Sequence, residues 1–204
     1  MERFNVKYAL LILPLILFTP AGHVFAAGSS QHSKTPFNWS LGLLHVQSGE
    51  MLDFSAPVQS AAGDKFRIAI SPKAACFAYV IYESPSSDNM EVIYAGPIKE
   101  GQTWYSKILE LIPPGGLESF KIIVSLEEQK TLGKKIEELI QSPETSVLAI
   151  KNEIQRLEGE TAQVNEGPPT PSFLGGVIRG TPGANVGVEY SGLDTYVKTI
   201  RIEH

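Results

Sequence analysis

The sequence predicts a mainly β protein: a β-sandwich-like domain with an appended amphipathic helical pair and a C-terminal strand. Three observations carry this. Residues 65–71 alternate cleanly, with Phe66, Ile68 and Ile70 on one side and Lys65, Arg67 and Ala69 on the other, the period of a half-buried strand. After Val124 the apolar spacing changes to that of a helix. After residue 192 it changes back, with Tyr196, Ile200 and Ile202 on one face of 195–202.

The first 26 of the 204 residues read as a secretory signal peptide. Arg3 and Lys7 make a positive start, Tyr8 to Phe18 an apolar core, and Val24 and Ala26 the small residues of a cleavage site. The apolar run falls short of the roughly 20 residues that a spanning helix needs. No cysteine follows it, so no lipid anchor and no stable membrane insertion after cleavage are expected. Residues 27–36 form a polar linker.

The sandwich is expected over 37–125. Trp39, Leu41 and Leu43 share a face. Cys76 to Glu83 is an apolar and aromatic run suited to a central strand. Ser84 to Asn89 carries turn residues and 91–94 returns as a strand, so 76–94 reads as a hairpin closed by Gly96-Pro97. Residues 104–112 can hold a further strand, Pro113-Pro114-Gly115-Gly116 is a hard break, and Phe120, Ile122 and Val124 alternate again.

The helical pair is expected over 126–159. Ser125 and Glu128 have capping-box spacing, and Leu132, Ile136, Leu139 and Ile140 follow at helical intervals. Ser142-Pro143 restarts a helix as N-cap and first residue. Val147, Ile150, Ile154 and Leu157 form its apolar stripe, and Gly159 can cap its end. That stripe must be covered, by the sheet, by a partner or by a second copy of the chain. Residues 160–192 are rich in glycine and proline and read as a linker, with 174–178 the one stretch able to form a strand. The C-terminal strand, 193–204, either returns to an edge of the main sheet or pairs with another chain.

The stretch from about Met51 to Ser125 resembles the bacterial domain of unknown function 4384. The resemblance rests on Gly63-Asp64 before the alternating strand, on Phe77-Ala78-Tyr79-Val80-Ile81, on Val92 through Pro97, and on Pro114-Gly115-Gly116-Leu117-Glu118 before the strand ending at Val124-Ser125. Ile93-Tyr94-Ala95-Gly96-Pro97 stands where that family has leucine-phenylalanine-proline. The resemblance implies a small β-sandwich-like module of exported bacterial proteins and no activity.

Charge and composition narrow the function classes. The net charge is −5, and losing the leader, where Arg3 and Lys7 outweigh Glu2, makes the remainder more acidic. Nucleic acid is therefore not an expected partner. The single cysteine, Cys76, leaves no internal disulfide and reads as a small buried hydrophobe. His32 lies in the linker, His204 is the last residue, and His45 alone falls within expected structure; no nucleophile elbow, metal-ligand spacing or phosphate loop accompanies them. Asp64 and Glu118, each just after glycine-rich turns, are read first as turn-stabilising carboxylates and second as the atypical site of a hydrolase. Tyr82, Tyr94, Trp104 and Tyr105 cluster around the expected hairpin and are the candidate ligand or partner surface, serving a core, an interface or a stacking platform for sugars. The expectation is an exported, non-enzymatic binding or assembly module of the bacterial cell envelope, periplasmic or secreted and without a cofactor. Its partner would be another envelope protein or itself. A carbohydrate-binding module for envelope glycans and a hydrolase are the alternatives.

Overall fold

The computed structural model describes residues 36–84, 90–141, 143–160, 165–166 and 187–204. The expected signal peptide, nearly all of the polar linker, the turn at 85–89, Ser142 and the 174–178 stretch lie outside the described residues.

Two sheets face each other. In the first, β1 (Pro36–His45) pairs with β4 (Lys65–Pro72) and with the short β2 (Met51–Leu52). In the second, β5 (Cys76–Glu83) lies between β6 (Met90–Ile98) and β9 (Leu117–Ser125). The first sheet is completed by β7 (Trp104–Tyr105) and β8 (Leu109–Glu110), both on β4, and by β10 (Asn165–Glu166) and β11 (Val188–Leu193) on the other side of β1. The second is completed by β12 (Thr195–Glu203), antiparallel to β9, and by β3 (Val58–Gln59), parallel to β12. The core between the sheets is made by the alternating positions: Phe66, Ile68 and Ile70 from β4 against Phe120, Ile122 and Val124 from β9.

The helices form a third layer. α1 (Lys130–Gln141) and α2 (Pro143–Glu160) pack Leu132, Ile136, Leu139, Ile150, Ile154 and Leu157 against Tyr79, Ile81 and Ile123, which point away from the sandwich core. The second sheet is thus covered on both sides, which is why Cys76 to Tyr82 reads as an unbroken apolar run rather than an alternation. Lys121 beside them reaches Glu158 of α2 at 2.8 Å.

Several expectations change. The C-terminal strand returns within the chain but to the interior of the second sheet, between β3 and β9, not to an edge. Part of the expected linker is structured, as β10 and β11. β11 continues into β12 through Asp194, whose φ of 61° turns the chain from one sheet to the other; aspartate tolerates that region better than most residues. The first helix begins at Lys130, not at 126. Ser125 stays in β9 and donates its hydroxyl to the Glu127 carbonyl, so it does not cap the helix. Gly96-Pro97 lies inside β6 rather than ending it, and an edge strand accommodates a residue without an N–H. α2 runs one residue past Gly159. The 104–112 stretch is two two-residue strands broken at Ser106.

Candidate functional site

The break at Ser106 adjoins a concavity between the two sheets. Ser106 is buried; its hydroxyl accepts from the Ile68 N–H at 3.0 Å and donates to the Lys107 carbonyl at 2.7 Å. A side chain thereby replaces part of the strand ladder, and the edge of the first sheet stays short. On the facing sheet the edge is β6, where the register shifts between Val80 and Ile81, so that Ile93 and its neighbour Tyr94 both pack on the sandwich core. Between these two edges opens a cleft of about 380 Å³. Phe66, Leu109 and Leu111 line it from one sheet, Ile93 and Phe120 from the other. Ile108 and Ile112, 46 and 70% exposed, belong to the same lining. Lys107 and Glu91 bridge the two edges at 3.0 Å, and Glu110 pairs with Lys65 at 3.5 Å.

Tyr82 and Glu118 bring buried polar groups to this cleft. Glu118, only 6% exposed, accepts from the Tyr82 hydroxyl at 2.5 Å on one oxygen and stands 3.1 Å from His204 Nε2 on the other. With a proton on Nε2 for the carboxylate, Nδ1 of His204 remains buried without a partner. Burial, and then the hydrogen bond to Glu118, raise the Tyr82 phenol above its ordinary pKa. His204 reaches this position through its backbone, which exchanges hydrogen bonds with Gly116 at 2.9 and 3.1 Å. A Cβ on Gly115 would lie 2.3 Å from the His204 carbonyl oxygen, so the glycine pair serves as a landing for this strand end as well as a break. The sequence offers Glu118 and Tyr82 as separate candidates and His204 only as its last residue; nothing local signals their meeting, since 86 residues separate His204 from Glu118.

The four candidate aromatics do not form one surface. Tyr94 and Trp104 meet edge to edge of the two sheets, with ring centroids 4.5 Å apart, half-buried against the core. The Tyr94 hydroxyl donates to the Pro97 carbonyl. Tyr82 packs on Phe120 in the cleft. Tyr105 follows Trp104 in the same strand and, by alternation, faces the other way.

Asp64 sits in a clasp of its own. It accepts from the Ser60 hydroxyl at 2.5 Å and the Ala61 N–H at 2.9 Å, and these bonds lower its pKa. His45 lies between Asp64, at 3.8 Å, and Ser48, at 2.8 Å. The order resembles a nucleophile, base and carboxylate, but 3.8 Å is too long for the hydrogen bond that would orient the imidazole. Burial pushes the Cys76 thiol up to about 11, which leaves it unreactive near neutral pH. Among the described residues no group of three or more His, Cys, Asp or Glu is placed to hold a metal, and no helix is long and apolar enough to cross a membrane.

Comparison with protein-family models, with curated proteins and with solved structures finds no match. The functional reading therefore rests on the geometry of the cleft itself. Its buried carboxylate, Glu118, has a hydrogen-bond partner on each oxygen, its walls mix apolar and charged side chains, and two isoleucines are left in solvent at its lining. That arrangement suits holding a ligand better than activating water or a nucleophile.

Proposed function

We propose that this protein is an exported, non-enzymatic binding or assembly module of the bacterial cell envelope, and that the cleft between the open sheet edges is its binding face. One observation carries the reading: Ile108 and Ile112 stand exposed in the lining of a cleft of mixed apolar and charged walls, whose one buried carboxylate is already oriented by Tyr82 and His204. Large exposed aliphatics at a concave surface mark a place where a partner completes the packing. The leader-like segment 1–26 and the resemblance over 51–125 support export. The glycan alternative has less to draw on, because only Tyr105 of the four aromatics is substantially exposed and it stands apart from the other three. The hydrolase alternative has less to draw on, because Glu118 and Asp64 each already have two hydrogen-bond partners that account for their placement.

The test is capture from envelope extract by the immobilised mature chain, comparing the natural protein with Ile112→Asp. Ile112 is 70% exposed, so the variant folds normally. The proposal expects a discrete partner that the variant loses. An identical capture profile for the two proteins contradicts it.

A further inference from the structure

We propose that the cleft receives a lysine side chain of a partner polypeptide, presented between apolar neighbours. The inference rests on the binding-module reading and adds the chemistry of the ligand. Charge comes first. Of the three carboxylates in the lining, Glu91 is paired with Lys107 and Glu110 with Lys65, while Glu118 is held by Tyr82 and His204 and by no lysine. Glu118 is the decisive one, because at 6% exposure its charge is poorly screened by water. Each of its oxygens has two acceptor sites, and Tyr82 and His204 occupy one on each. A further donor can therefore be accepted without displacing either.

Shape selects lysine over arginine. A guanidinium prefers both oxygens of a carboxylate in a planar fork, and here those oxygens already face two different partners. A compact ammonium needs one free lone pair. The methylene stem of lysine packs along apolar surface while its charge stays hydrated or paired, and the partly exposed Ile93, Ile108 and Leu109 offer that surface. The entrance is held by Lys107 on Glu91, a pair whose side chains are 66 and 58% exposed. Such exposed pairs contribute little to stability and yield readily to a competing cation.

The occupant is a polypeptide rather than a free amine because of Ile108 and Ile112. A small amine in the cleft leaves both in water, whereas apolar residues flanking a lysine in a peptide cover them.

The experiment titrates the mature protein with a fluorescein-labelled peptide holding one lysine between leucines. The controls are the same peptide with that lysine acetylated, which keeps length and removes charge, and hexylamine as competitor. Saturable binding of the lysine peptide is expected, weakened about tenfold or more by acetylation and by Glu118→Gln. Ile112→Asp, which leaves the buried network intact, should weaken the peptide and leave hexylamine unaffected. Equal binding of the two peptides overturns the proposal, as does hexylamine binding as tightly as the lysine peptide. If Glu118→Gln does not fold, an Ile112→Asp protein that binds the lysine peptide as the natural one does also overturns it. Loss of partner capture in Ile112→Asp together with no lysine-peptide binding would remove the lysine assignment and leave the binding module standing.

Discussion

At the scale of residues, the buried cluster at Glu118 is the feature whose parts depend most on one another. Its carboxylate is tolerable in the core only while its oxygens are hydrogen-bonded. Replacing His204 with alanine removes one donor and leaves the carboxylate under-satisfied. That variant should lose about 1–3 kcal/mol in urea unfolding, with Tyr82→Phe costing a similar amount. The reason sequence reading reached only half of this cluster is physical. Glu118 announces itself as a carboxylate after Gly115-Gly116, but its partner arrives through pairing of Gly116 with His204, a contact that no local pattern encodes. The same holds for Ser125. Its spacing to Glu128 is that of a cap, yet β9 extends through it and its hydroxyl is spent on the Glu127 carbonyl.

At the scale of elements, strands and helices with one buried face were legible from their period, and β5, buried on both faces, from its unbroken apolar run. β4 alternates because its inward residues meet the core and its outward ones do not. The stripes of α1 and α2 were legible for the same reason at helical period. β11 was not, because Gly187 precedes it, Gly192 interrupts its pattern and its strand character comes from pairing with β1. The helix layer yields two predictions. Ile150 of α2 is fully buried and Leu148 is 68% exposed. Ile150→Ala should therefore cost about 2–5 kcal/mol, while Leu148→Ala stays within about 0.5 kcal/mol, both read from chemical denaturation. The second concerns pH. Glu153 is buried and held by Arg156, with Lys135 of α1 at 3.5 Å, and the Arg156 hydrogen bond lowers its pKa below the ordinary 4.5. A carboxyl lowered by folding stabilises the folded state above its unfolded pKa and loses that contribution as pH falls through the folded value. Between pH 7 and about 4.5 the natural protein and Glu153→Gln should show a constant stability difference. Below that pH the difference should shrink.

At the scale of the whole molecule, the three layers explain where a partner can bind. The helical pair covers one face of the second sheet, and β11 running into β12 ties the two sheets at one side, where Trp39, Tyr190 and Tyr196 pack with centroids 4.8–5.1 Å apart. On the opposite side the first sheet ends in two-residue strands and the second in β6, and the cleft lies between them. A sandwich closed at one side by a continuous strand and open at the other directs recognition to the open side. The most direct test places a photo-crosslinking amino acid in intact cells at Ile112 beside the cleft and, separately, at Lys134 on the exposed face of α1, where the side chain is 78% accessible. The account predicts a discrete cross-linked adduct from position 112 and none from position 134. Adducts from 134 alone, or from neither position, would contradict it.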